Sequence, residues 1–330
     1  MRKTQEHRRL ALQYTAIALA IVFLLSTALL LLGIWEKRQG SFPVFDVEET
    51  HVKYNGAQYA LNENIETFLV MGLDKFEGAA VADSYNNDQQ ADFLMLMVLD
   101  NEARQCSAIH INRDTMADIS VLGVAGQEIA KVNKQIALAH TYGNGREVSC
   151  RNTADAVSDL LLGMKVNHYI SFTMDSVSTI NDLVGGVEVV LLEDFTSVDP
   201  AMVKGEQMTL MGQQALHYVR TRYGLEDSTN STRMQRQRQY LKALYEKIQQ
   251  RIDADEEFIV DASVKMADYI VSDRSITRLQ ELLRKFSEYE FTGIRSMEGK
   301  NITGEQFIEF YPEKDSIEKI VIDTFYTIKE

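Results

Sequence analysis

In the stretch "HINRDTMADI", from His110 to Ile119, an arginine and an aspartate directly follow the alternating apolar run "SAIHI". A buried charge is costly unless a partner neutralises it, so Arg113 and Asp114 need something to meet. A second concentration of cations lies in "QALHYVRTRYGLEDSTNSTRMQRQRQ", residues 214–239. Arg220 and Arg222 are two apart and share a face on a strand-like segment. Arg233 and Arg236 are three apart and share a face on a helix, with Gln237 beside them. Guanidinium forks grip phosphate oxygens bidentately and stay charged at physiological pH, so the cluster points to a phosphorylated ligand. A solvated helix face salt-bridged to Glu226 and Asp227 is the competing reading of this segment taken alone.

Two aspartates weigh against that simpler reading. Asp74 directly follows "FLVMGL" and Asp92 directly precedes "FLMLMVL", which puts both at expected strand ends, where sites are usually built. Carboxylates so placed suit Mg2+, which takes one or two protein oxygens and leaves positions for substrate phosphate. Turn chemistry is the alternative for either residue on its own.

Alternating secondary structure must position these groups. "TFLVMGLD", "DFLMLMVLD" and "CSAIHIN" read as buried strands, with a Gly, Asn, Asp and Gln rich loop from Lys75 to Gln90 between the first two. "EIAKVNKQIALAHTYG" has helical spacing ending at Gly143, and "NTADAVSDLLLG" reads as a helix with an Asn/Thr cap that stops at Gly163. "HYISFTM" and "VEVVLL" are further strands around the helix "DSVSTINDLVGG". Beyond Arg220 the chain reads helical through Ile252, and the tail adds further helices and a strand. The expectation is an α/β fold, a mixed central β-sheet flanked by helices on both faces.

The chain has 330 residues, 45% of them hydrophobic, enough for one large core or two smaller ones. Residues 16–35, "AIALAIVFLLSTALLLLGIW", carry no charge, and about 20 apolar residues match the bilayer core. With Arg2, Lys3, Arg8 and Arg9 upstream, this predicts a single-pass span with a cytoplasmic tail at 1–15. A cleaved signal peptide is the alternative, disfavoured by the length of the apolar run and the absence of a clear cleavage site. A polar stalk at 36–66 and an extracytoplasmic domain at 67–330 follow. The formal charge of −14 does not suit general nucleic-acid binding, so anionic ligands must be caught by local arginines. Cys106 and Cys150 are the two cysteines; outside the cell they are expected to form one disulfide. His110, His168 and His217 lack metal-ligand spacing, and Ser107, Ser171 and Ser176 lack a G-x-S-x-G context.

In order, "FLVMGLD", "ADFLMLMVLD", "IHINRDTMADI", "KVNKQIALAHTYG", "AVSDLLLG", "HYISFTMDSVSTINDLVGGVEV" and "GQQALHYVRTR…RMQRQRQYLKAL" resemble the LytR-CpsA-Psr family. The resemblance covers about Thr67 to Leu244 in register, and several ordered motifs over that length make a specific signal. It implies an Mg2+-dependent phosphotransferase of the cell membrane. Such an enzyme moves a glycopolymer, teichoic-acid-like or capsular, from a polyprenyl-pyrophosphate carrier to peptidoglycan or another envelope acceptor. A polyprenyl-pyrophosphate hydrolase and a lipid-binding regulatory protein without turnover are the alternatives.

Carried over by residue, Asp74 and Asp92 resemble the Mg2+ ligands and Arg113 the arginine that assists opening of the pyrophosphate. Arg220, Arg222, Arg233, Arg236 and Gln237 resemble the pyrophosphate clamp. The lipid tail implies an apolar pocket, for which "FLMLMVL", "YISFTM" and "LVGGVEVVLL" are candidates, ordinary core being the simpler reading of any one residue. Two departures stand out. Gln90-Ala91-Asp92 replaces the family's Arg-Ser-Asp, and Arg236-Gln237-Arg238 its Arg-Gln-Gln; Arg238 points away from Arg236 on a helix.

Overall fold

Among the residues described by the computed structural model, 51–74, 87–221, 230–255, 257–305 and 307–329, the first feature is a hairpin. β1 (His51–Tyr54) and β2 (Ala57–Leu61) meet at Asn55 and Gly56, whose φ of 49° and 84° are the positive values that a two-residue hairpin loop requires. β3 (Ile65–Leu73), β4 (Ala91–Asp100) and β5 (Gln105–Ile111) follow as an antiparallel meander. Their near-continuous Leu, Met, Val and Ile runs reflect burial on both faces. β6 (Met116–Leu122) and β7 (Glu128–Gln135) pair antiparallel, and a 3-10 turn (Ile136–Thr141) leads to α1 (Glu147–Leu160).

Next come β8 (His168–Thr173), α2 (Ser176–Leu183), β9 (Val187–Val190), β10 (Gln207–Leu210), α3 (Gln213–Arg220) and the long α4 (Asn230–Ala254). The rest comprises α5 (Phe258–Met266), β11 (Ile270–Ser272), α6 (Ile276–Ser287), β12 (Glu290–Arg295), β13 (Gly299–Thr303), β14 (Ile308–Pro312), α7 (Lys314–Phe325) and β15 (Tyr326–Ile328).

The central sheet has six strands in the order β11-β8-β3-β4-β5-β12. It is mixed as expected: β8 runs parallel to β3 and β12 parallel to β5, while the remaining pairs are antiparallel. Helices cover both faces. Ser171 meets Cys150 of α1 on one side, whereas its neighbour Ile170 packs with Phe68 and Leu282 of α6 on the other. A second core joins β9, α3, α4 and α5 through Val187, Val189, Phe195, Tyr218, Leu244 and Phe258.

The tail expected at 1–15 and the span expected at 16–35 lie outside the described residues, among which no helix is long and apolar enough to cross a membrane. Several other expectations need correction. The stalk expected at 36–66 does not extend through 51–66, because β2 pairs with both β1 and β15 and draws that segment into the folded unit. Its polar residues alternate with half-buried ones, which hid the strands. "EIAKVNKQ" is a strand, not a helix. Its partner β6 supplies the ladder that local spacing cannot reveal, and only "IALAHT" turns, as a 3-10 helix. α1 starts at Glu147, upstream of the expected Asn/Thr cap; Asn144 Oδ1 accepts from the N–H groups of Arg146 and Val148, and Asn152 lies inside the helix.

The tail holds β11 to β15, among the described residues, where one strand was expected. The expected disulfide is absent. Cys106 packs beside Leu99 and Tyr289 on the α6 face, Cys150 beside Ser171 on the opposite face, and both are buried free thiols with the sheet between them.

Candidate active site

Antiparallel pairing of β3, β4 and β5 brings the end of β3, the start of β4 and the end of β5 to one edge of the sheet. Leu73 pairs with Ala91, and Leu94 with Ile111. Asp74 and Asp92 therefore become neighbours, and the carbonyl of Gln90 accepts from both backbone N–H groups, at 3.0 Å and 3.1 Å. Arg113 reaches back across the same edge. Its guanidinium donates to Asp92 Oδ1 and Gln90 Oε1, and its Nε lies 3.3 Å from Asp114 Oδ1. The opening charges of the "NRDT" stretch thus meet each other and Asp92. Asp114, 2% exposed, also accepts from Gln135 Nε2 at 3.1 Å.

α4 closes the site from above. Arg233 Nη1 lies 3.5 Å from Asp92 Oδ2, so Asp92 is gripped by two arginines from separate segments. Arg233 Nε donates to Asn230 Oδ1 at 2.9 Å, and Asn230 Nδ2 donates to Asn112 Oδ1, which ties α4 to the end of β5. Arg220, the last residue of α3, places Nη2 3.2 Å from Asp74 Oδ1, and this pair is the exposed side of the cluster. Arg220 is helical, so the two-residue strand spacing with Arg222 does not apply to it; Arg222 lies outside the described residues.

Arg236 and Gln237 stand apart from this group. Arg236, 1% exposed, donates from Nε to the carbonyl of Tyr218 at 2.9 Å and from Nη2 to that of Thr221, pairs with Glu193, and lies over the Phe195 ring at 5.2 Å. Gln237 Nε2 donates to the carbonyl of Val219 at 3.1 Å. Together they donate to carbonyls at the C-terminal end of α3, where a helix runs out of its own N–H donors, and so tie down the segment that carries Arg220. They brace the site and do not face it.

Two buried histidines near this edge, His110 and His140, are held in the neutral form. Burial, helped by Arg238 and Arg233, pushes His110 down to about 3, and its ring lies 5.1 Å from Phe93. Burial likewise lowers His140 to about 4 against the opposing hydrogen bond from its Nδ1 to the Gln89 carbonyl. The donor set at the edge is all oxygen. Two adjacent carboxylates are what Mg2+ takes when phosphate supplies the rest, and no group of three His, Cys, Asp or Glu ligands forms among the described residues. Asp74 and Asp92 thus fit Mg2+ better than an all-protein cage.

The apolar stretches divide. Leu94, Leu96 and Val98 are fully buried core, and Val187, Val189 and Leu191 belong to the second core. Val70, Phe93, Met97 and Phe172, on the α6 face, are only half buried. Sequence reasoning missed Asn112, Asn230, Gln135 and Glu193. The signal for the first was an asparagine between a β-strand and an arginine; the others depend on contacts distant in sequence.

The polyisoprenyl-teichoic acid–peptidoglycan teichoic acid transferase TagU of Bacillus licheniformis is 28% identical over 251 residues, 75% of this chain and 73% of that one. The structure of TagT bound to LI-WTA superposes with a TM-score of 0.59 at 18% identity over 79% of this chain and 90% of that one. B. subtilis TagV gives 0.58 at 21% identity over 79% and 96%. These structures share the fold. The LytR_cpsA_psr family model matches residues 44–321, and the chain belongs to the LytR-CpsA-Psr family.

Proposed function

We propose that this chain transfers a cell-envelope glycopolymer from a polyprenyl-pyrophosphate carrier to peptidoglycan or another envelope acceptor. The observation that carries the reading is the convergence of Arg113, Arg220 and Arg233, from three separate segments, on two strand-end carboxylates. The TagU relative is named as a teichoic acid transferase acting on peptidoglycan, an activity of the same kind. The half-buried apolar face of Val70, Phe93, Met97 and Phe172 offers the lipid tail a place beside the charged edge.

In this reading an acceptor hydroxyl oxygen attacks the phosphorus that bears the glycan. The bond from that phosphorus to the bridging oxygen breaks, polyprenyl monophosphate leaves, and the hydroxyl proton passes to solvent. Asp74 and Asp92 would hold Mg2+, and the bound ion would supply positive charge to the phosphate oxygens. Arg113 stabilises the departing phosphate, and Arg220, Arg222 and Arg233 orient the diphosphate. Arg236 and Gln237 position Arg220 through the end of α3. Gln90, at the position where the family resemblance implies arginine, leaves Arg113 with a neutral acceptor. The span at 16–35 holds the domain at the outer face of the cell membrane with the N-terminus cytoplasmic.

Incubating the full chain in detergent with lipid-linked glycan, Mg2+ and peptidoglycan tests this. Glycan on the acceptor is the expected product. Free phosphorylated glycan would make the protein a hydrolase, and intact bound lipid a regulatory lipid binder. Chelation of Mg2+ should stop transfer, and Asp92→Asn should raise the Mg2+ needed for half-maximal rate by about tenfold or more, the usual loss for a disturbed metal site.

A further inference from the structure

A cleft of about 410 Å3 opens between α4 and the edge strand β12, lined by Arg238 and Lys242 on the helix and by Phe291, Thr292, Gly293 and Ile294 on the strand. Arg238 and Lys242 are four residues apart, so both cations face the same way. Neither has a carboxylate or hydrogen-bond partner among the described residues, in a chain of formal charge −14, whereas Arg113, Arg220 and Arg233 each pair with an aspartate. Arg238 is half buried, and burial disfavours its charge. It also lies near enough to His110 to disfavour the cationic imidazole, and His110 Nδ1 is buried without a hydrogen-bond partner.

The strand side is shaped to receive something. The register of β12 against β5 slips between Phe291 and Gly293, and Gly293 has φ 121° with open space where a side chain would stand. β12 ends the sheet, so one side of its backbone carries no ladder partner. Phe291, packed against Tyr245 with ring centroids 5.8 Å apart, adds an apolar wall. A cation pair, an exposed backbone edge and an aromatic wall together suit an anionic sugar better than a bare ion or a lipid chain. Arg238 lies five residues beyond Arg233 on α4, roughly 7.5 Å further along the helix axis and turned about 140° around it, so it serves a different place from the diphosphate edge.

We propose that this cleft is a second anion subsite, in which Arg238 and Lys242 bind a phosphate or carboxylate carried by a sugar of the donor glycan. The assignment to the donor rests on the transferase reading; the binding itself does not.

The test follows backbone amide resonances of the full chain in detergent micelles during titration with glucose 6-phosphate, glucose and inorganic phosphate. Thr292, Gly293 and Ile294 should shift saturably with glucose 6-phosphate, at least fivefold more weakly with phosphate, and not with glucose. In the Arg238→Gln/Lys242→Gln variant the affinity should fall by about tenfold or more, the worth of a charge-assisted hydrogen bond. Asn112 and Asp114 should still respond to inorganic pyrophosphate in that variant, which reports an intact main site. Absence of a saturable shift, its retention in the variant, or equal response to inorganic phosphate would each overturn the subsite.

Turnover then identifies the source. The variant should raise KM for a donor with anionic repeats about tenfold more than for one with neutral repeats; a rise confined to the acceptor would overturn the donor assignment. Normal sugar-phosphate binding without any transfer would sink the transferase reading and leave the subsite standing.

Discussion

Replacing Arg113 by alanine takes a neutralising cation from two carboxylates at once. Asp92, 8% exposed, keeps Arg233, and Asp114, 2% exposed, keeps Gln135 but loses its neighbouring guanidinium. Breaking a buried ion pair costs about 3–5 kcal/mol when the remaining charge is uncompensated. With these surviving partners the lower end, about 3 kcal/mol, is expected. Under the proposed mechanism turnover should fall further, by about 10²–10³-fold, because there the guanidinium would stabilise charge that grows only as the diphosphate opens. The two effects can be separated. Arg113→Ala/Asp114→Asn removes the stranded charge and should recover most of the stability but none of the turnover. Urea unfolding and single-turnover transfer of a radiolabelled glycan, run at a temperature where both variants are folded, supply the two readings. If the double variant regains turnover together with stability, Arg113 is a structural residue and the catalytic assignment is wrong.

Arg236→Met should lower stability by about 3–5 kcal/mol by stranding Glu193, and Arg236→Met/Glu193→Gln should recover part of it; a stable single variant with lost lipid binding would instead show that Arg236 faces the ligand. Both histidines with depressed pKa values are neutral when folded and charge readily when unfolded. The unfolded chain therefore takes up protons first as the pH falls below about 6.5. Stability should decline from there toward pH 4, where His140 titrates in the fold, with His110 continuing to about 3. Its slope is about 1.4 kcal/mol per pH unit for each histidine, and a flat urea midpoint between pH 7 and pH 5 would contradict it. Burial pushes both thiols up to about 12. Iodoacetamide should accordingly leave the native chain unmodified at pH 8 and add two groups after unfolding without reductant; no addition after unfolding would restore the disulfide.

The strands that build the sheet were readable because they are long, apolar and β-branched or aromatic, and the ordered motifs made the family legible. The β6–β7 hairpin was not, since "EIAKVNKQ" satisfies helical spacing and only its pairing with "MADISVL" decides the outcome. The disulfide expectation followed the compartment and could not see that a sheet would separate the thiols. At the site, sequence grouped Arg233 with Arg236 by helical spacing. Three residues is nearly but not quite a turn, and that offset aims Arg233 at Asp92 and Arg236 at Glu193. Arg238, set aside for pointing elsewhere, points to the cleft beside β12.

The carbonyl of Gln90 anchors the N–H groups of both Asp74 and Asp92. The separation of the two carboxylates is thereby set by one peptide oxygen at the base of the β3–β4 connection, independently of what the connection contains. A change that turns the Gln90 peptide plane would therefore displace the backbone of both aspartates together, whereas a side-chain substitution at Gln90 would leave that shared anchor in place.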